Sequence, residues 1–330
     1  MSAAATLPLR PPLPRSLYLE TTSRCNSLCE TCILTFGGRE PQKDLAWEEF
    51  RRVVDRFPVL ERVLLHGIGE PLLNRDLPRM VTHLKGRGAT VLFNSNAITL
   101  NQRLGRALVD AGLDELRVSL DGTTASTYAR VRGVDAFAKV MGNLERFVEV
   151  KREASAVHPR VSLWFTALRD NIEEIPGLVP LATRAGAVGI YLQRLVYNGL
   201  GLATKEQSLY GRLHEREAAL IRETEHVARA AGLDFSASGA AAPEISLTPS
   251  HADRPWSQCR RARGASSMSP CTATCFRVAS RRGSRSTTTA SSSAISTDSL
   301  WRISGGASTT WTSGPPSRPM CRPSRVVAAA

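Results

Sequence analysis

The stretch SLYLETTSRCNSLCETC, Ser16–Cys32, opens as a β-type run and closes as a loop carrying three cysteines. Cys25, Cys29 and Cys32 are spaced C-x3-C-x2-C. Cysteines this close in a chain without secretory features read as metal ligands rather than disulfide partners. Three thiolates on one short loop can take three corners of a cubane iron–sulfur cluster and leave the fourth iron open to an outside ligand. A structural zinc site would want a fourth protein ligand, and the next candidate along the chain is His66. Buried, inert cysteines are the third reading, since cysteine packs well in cores.

Outward from this loop the sequence alternates short β-type runs with helical patterns. Runs begin at Ser16, Arg62, Thr90, Glu115, Val161 and Val188. Apolar residues at helical spacing lie between them, over Leu45–Phe57, Asp76–Gly86, Asn101–Ala111, Phe137–Arg152 and Glu173–Ala185. Strands that alternate with helices imply a parallel sheet, because each crossover returns over the sheet face to start the next strand in the same direction. Six such units form either a doubly wound sheet or an open, partial barrel. In both, the functional residues belong at the C-terminal strand ends.

Polar residues do follow the strands. HGIGEPLLN places Gly67, Gly69, Glu70 and Pro71 after the second strand, where glycines let the backbone come close to a bound group. FNSNA places Asn94 and Asn96 after the third, and RVSLDG places Ser119 and Asp121 after the fourth. Gln193 and Arg194 end the sixth. Asn and Asp at such positions also serve simply to start turns.

The cysteine spacing after a first strand, with Gly-x-Gly-Glu-Pro one β/α unit later, resembles the radical S-adenosylmethionine (radical SAM) family. The resemblance covers Leu17–Leu200. It implies a partial (β/α)6 TIM-like barrel with a [4Fe-4S] cluster on Cys25, Cys29 and Cys32. It also implies S-adenosylmethionine (SAM) contacts from Gly67, Gly69, Glu70, Asn96, Ser119 and Gln193. By the same resemblance, reductive cleavage of SAM gives a 5′-deoxyadenosyl radical that takes hydrogen from a peptide or small molecule, with an electron donor such as flavodoxin or ferredoxin. Two departures stand out: Ile68 stands before Gly69 where the family's Gly-Gly-Glu-Pro segment has a glycine, and Thr31 stands where an aromatic residue usually precedes the third cysteine.

Composition divides the chain in two. The net charge is +13, yet +8 of it falls in Ala262–Ala330, which holds nine Arg, one acid and no Lys among 69 residues. The same segment has 25 Ser and Thr and no apolar periodicity, so it reads as disordered. The expected organisation is a disordered leader over 1–15, a core over 16–200, a helical extension and linker over 201–258, and a tail over 259–330. Prolines interrupt the leader where a signal peptide needs an unbroken apolar core, no apolar run is long enough for a membrane span, and a cytoplasmic protein is expected. A basic tail could bind nucleic acid, but its only aromatic residues are Phe276, Trp301 and Trp311, too few for a base-stacking surface.

RPWSQCRR, ending near Cys259, resembles the opening of the SPASM-type domain that follows the barrel in many family members, and nothing after it fits. Read from each codon's third base, the codons of Cys271–Ala279 permit HGDVLPCC, those of Ser293–Gly305 permit GNLHGLTLADIWR, and those of Arg322–Ala328 permit PEPCRGC. These resemble, in order, three signatures of that domain, which points to a frameshift near Arg261 and gives Cys271 and Cys275 no ligand role. The nucleotide sequence tests this: an open third-base frame with codons for those cysteines is expected, and an early stop codon there would overturn it.

Overall fold

The computed structural model describes residues 13–37, 42–239 and 242–248, with the backbone of two short strands at 274–278 and 325–326. In chain order the elements are β1 (Ser16–Leu19), α1 (Ile33–Phe36), α2 (Trp47–Val54), β2 (Arg62–Leu64), α3 (Leu77–Lys85) and β3 (Thr90–Ser95). They continue with α4 (Gln102–Asp110), β4 (Glu115–Ser119), α5 (Ala125–Arg132), α6 (Phe137–Glu153), β5 (Arg160–Ala167), α7 (Leu178–Arg184) and β6 (Gly189–Arg194). The last are α8 (Glu215–Ala230), β7 (Asp234–Ala237), α9 (Pro243–Ser246), β8 (Thr274–Val278) and β9 (Arg325–Val326).

All strand pairs are parallel, and β1 to β7 lie side by side in chain order. From β1 to β7 the order never reverses, as in an open, partial barrel, and β8 and β9 are added at the other edge of β1. The alternation along each strand assigns the two faces. Leu17, Leu19, Val63, Val91, Phe93, Leu116, Val118, Leu163, Phe165, Ile190 and Leu192 are all 2 % exposed or less and form the core with the helices. Tyr18, Ser119, Trp164, Thr166, Tyr191 and Gln193, on the alternate positions, are half-buried and line the inner face.

The α/β partial barrel expected from the sequence is present, with four differences. The sheet runs one strand further, to β7, inside the segment read as a helical extension and linker; four residues, of which only Phe235 and Ala237 are buried, are too short to display a period. Helix α5 was not expected, because its Ala-Ser-Thr-Tyr start is only weakly amphipathic. The helix read over Glu173–Ala185 is instead a 3-10 segment, Ile172–Gly177, followed by α7, because Pro176 and Gly177 disfavour a continuous α-helix. Finally, β8 pairs with β1 and β9 with β8. These two strands fall within the segment expected to be disordered, and the rest of 259–330 lies outside the described residues.

Candidate active site at the cysteine loop

The chain leaves β1 through Glu20–Ser23, both buried threonines included, and enters the cysteine loop at Arg24. Arg24 fixes the entry. Its Nε and one terminal nitrogen donate to the two oxygens of Asp44, at 2.9 and 2.6 Å, and the same nitrogen donates to the Leu73 carbonyl at 2.7 Å. The hydrogen-bonded Asp44 carboxylate holds the guanidinium above its ordinary pKa.

Cys25, Cys29 and Cys32 are all free thiols; Cys29 is buried and the other two are half-buried. Cys32 begins α1, its Sγ accepting from the Leu34 N–H at 3.4 Å, and the Cys32 N–H donates to the Cys29 carbonyl at 3.0 Å. Burial pushes the Cys25 thiol up to about 11, and nearby Glu70 and Cys29 add to the rise. Burial raises Cys32 as well. Without a metal to stabilise them as thiolates, these two sulfurs stay protonated at neutral pH.

The Gly67–Glu70 segment is pressed against this loop. A Cβ on Gly69 would overlap the Thr22 carbonyl oxygen and lie 2.8 Å from that of Arg24. The Glu70 N–H donates to the Arg24 carbonyl at 2.8 Å. Ile68 N–H donates to Glu20 Oε1 at 2.7 Å, and a Cβ on Gly67 would overlap the same carboxyl group. The close approach that the glycines suggested is therefore made, in the first instance, to the protein's own backbone and Glu20.

Glu70 ties in the third strand. Its Oε1 accepts from Leu72 N–H (3.0 Å) and Ser95 Oγ (2.7 Å), and its Oε2 from Asn96 N–H (2.7 Å). Burial pushes this carboxyl upward, and the three donors pull it back. Asn96 then reaches the cysteine loop directly, its Nδ2 donating to Asn26 Oδ1 at 2.8 Å. Thus Gly69, Glu70 and Asn96 meet the cysteine loop. Ser119 and Gln193 stand apart on the inner face of β4 and β6. Between them Trp164 and Tyr191 stack with centroids 3.9 Å apart, and the Arg117 guanidinium lies 4.5 Å over the Trp164 ring.

Several residues at this site carry no sequence motif. Arg132, its side chain 11 % exposed at the end of α5, pairs with Asp121 at 2.9 Å. Burial opposes its charge, but Cys29, Asp121 and Tyr128 hold its pKa well above the ordinary value. Among the described residues Arg132 Nε and His66 Nδ1 are buried polar atoms with no hydrogen-bond partner. Burial pushes the His66 ring down, Glu20 opposes, and Arg117 adds to the shift. The only sequence signal was the Arg-Gly at 132–133, a helix-end pattern that says nothing of where the arginine points.

Among the described residues no three Cys, His, Asp or Glu side chains gather as a single ion requires. A cubane takes one sulfur at each of three separate corners, so three loop sulfurs beside a buried cation suit it better than they suit zinc. Among the described residues the Arg132 Nε–H has no acceptor, and an anionic bound group would supply one.

The radical SAM superfamily matches residues 19–174, which include the cysteine loop, the glycine segment and Asn96. Those residues are a radical SAM domain. Members of the superfamily use a [4Fe-4S] cluster and SAM. The chain is 30 % identical over 232 residues to the PqqA peptide cyclase of Xanthomonas campestris pv. campestris, covering 67 % of this chain and 57 % of the relative. It is 27 % identical over 195 residues to the mycofactocin maturase MftC of Mycobacterium ulcerans, covering 59 % and 51 %. The chain thus spans about half the length of the curated relatives it matches. Its fold is that of Streptococcus suis SuiB bound to S-adenosylmethionine, with TM-score 0.57 and 16 % identity over 69 % of this chain and 51 % of that one.

Gly69→Ala forces the Thr22 carbonyl to move and is expected to cost about 2 kcal/mol, roughly 4–8 °C in Tm for a domain of this size. Iron uptake on reconstitution should fall with it. Unchanged Tm and unchanged iron content would show that the loop is not seated by this contact.

Proposed function

We propose that this chain holds a [4Fe-4S] cluster on Cys25, Cys29 and Cys32, binds SAM beside it, and uses the pair to begin radical chemistry on a peptide or small molecule. The observation that carries this reading is the seating of all three sulfurs on one loop at the C-terminal end of β1, with no fourth protein ligand converging on them among the described residues. When bound, cluster and SAM supply one-electron cleavage of the sulfonium and a 5′-deoxyadenosyl radical that abstracts hydrogen.

The chain's own part is to hold, orient and exclude. Gly67, Gly69 and Glu70 present backbone edges beside the cysteine loop, and Asn96, Ser119 and Gln193 complete the SAM surface at the ends of β3, β4 and β6. Thr31 offers the adenine no aromatic surface, and the Trp164–Tyr191 stack on the inner face supplies one. Arg132 offsets the negative charge that three iron-bound thiolates bring into a buried loop. The relatives' names, a peptide cyclase and a maturase, support a peptide as substrate. The electron comes from outside the chain, from a flavodoxin or ferredoxin. Among the described residues no helix is long and apolar enough to cross a membrane. The free thiols support a cytoplasmic setting.

A second reading, a chain that binds cluster and SAM without turnover, is favoured by the rim of the barrel. Leu28, Ile33, Phe36, Val196, Tyr197 and Leu200 are each at least 40 % exposed there, and the 201–202 backbone packs on α1 and the Glu30 carbonyl. An apolar rim of this kind needs a cover on the substrate side. Anaerobic reconstitution followed by a 5′-deoxyadenosine assay with dithionite separates the two. Iron with cleavage, both abolished in Cys25→Ala, Cys29→Ala and Cys32→Ala, supports the enzyme. Iron without cleavage supports the second reading, and a chain that takes up no iron overturns both.

A further inference from the structure

Ser27 lies between the first two cysteines and is 5 % exposed. Its Oγ is 2.8 Å from the Arg132 carbonyl, to which it donates, and 3.3 Å from Cys29 Sγ. The carbonyls of a helix's last turn lack partners inside the helix. In α5 the cysteine loop provides them: Ser27 Oγ–H serves Arg132, and Glu30 N–H serves Val131 at 2.9 Å. Gly133, at φ +67°, lets this helix end lie so near Leu28 that a Cβ there would overlap the Leu28 carbonyl. The backbone on either side of Ser27 is thus held against the end of α5.

A hydroxyl has one proton and two lone pairs. While Cys29 is a thiol, its S–H can donate to Ser27 Oγ and the serine proton can serve the Arg132 carbonyl. A cysteine bound to iron is a thiolate and only accepts. Two acceptors then face one hydroxyl, and the charged sulfur competes for its proton more strongly than a neutral carbonyl does.

We propose that Ser27 is a positioning residue for the cluster, its hydroxyl donating to the Cys29 sulfur once that sulfur binds iron. The inference rests on Cys29 being an iron ligand. A hydrogen bond to a ligating sulfur draws off negative charge, favours the state with one more electron and so raises the reduction potential.

The test uses the full chain, reconstituted anaerobically without SAM, as wild type, Ser27→Ala, Ser27→Gly and Ser27→Thr. Iron and sulfide are measured first, then the cluster is titrated by EPR, and exchangeable protons near it are read by ENDOR in H2O against D2O. Ser27→Ala should keep its iron but be about ten-fold harder to reduce, a shift of about 59 mV to lower potential for one electron. It should also lose a strongly coupled exchangeable proton. Ser27→Thr, which keeps the hydroxyl, should retain the coupling. An alanine or glycine variant with full iron and an unchanged potential overturns the inference while leaving the iron-ligand reading intact. So does a wild-type cluster with no exchangeable coupling, whatever the variants retain. Wild-type chain that assembles no four-iron cluster overturns the ligand reading itself.

Discussion

The cysteine loop is gripped between two stretches of backbone that come closer than any side chain allows. On one side Gly69 lies on the Thr22 and Arg24 carbonyls; on the other Gly133 lies on the Leu28 carbonyl. Between these contacts run Cys25, Cys29 and Cys32. A loop of mixed polar residues has little apolar surface with which to order itself, so its shape is imposed by these neighbours and by the Arg24–Asp44 pair. Everything the site can do depends on that imposed shape, since a cluster needs its three sulfurs at fixed corners.

Two buried charges connect the grip to the barrel. Glu70 joins the glycine segment to the end of β3 through three hydrogen bonds, and Asn96 carries the link on to Asn26. Arg132, paired with Asp121, joins α5 to the β4 loop, while Asp121 Oδ1 accepts from the Thr166 N–H at 2.8 Å on β5. Buried ions of this kind are costly unless fully paired. Here each carboxylate is met by several donors.

Much of this was legible in the amino-acid order, and the exceptions share a cause. The strands announced themselves because a buried outer face and a half-buried inner face give alternation, as in Leu17, Tyr18 and Leu19. The helices α2, α3, α4 and α6 showed their apolar stripe. The strand β7 and helix α5 did not, being short or weakly amphipathic and held by what surrounds them. At the site, Cys25, Cys29, Cys32, Gly69, Glu70 and Asn96 were legible because motif and strand end coincide. Ser27, Arg132 and Asn26 were not, because their meaning lies in contacts made 105 and 70 residues away along the chain. Even for Gly69 the motif named the residue but not its first duty, which is to let the cysteine loop lie down.

The central claim is that three loop cysteines hold a four-iron cluster whose fourth iron is free to take SAM. Mössbauer spectroscopy of the chain reconstituted with 57Fe, before and after adding SAM, tests it most directly. One iron in four is expected to be distinct from the rest and to change its signal when SAM is added. Four equivalent irons unaffected by SAM, or iron bound without sulfide, would contradict it.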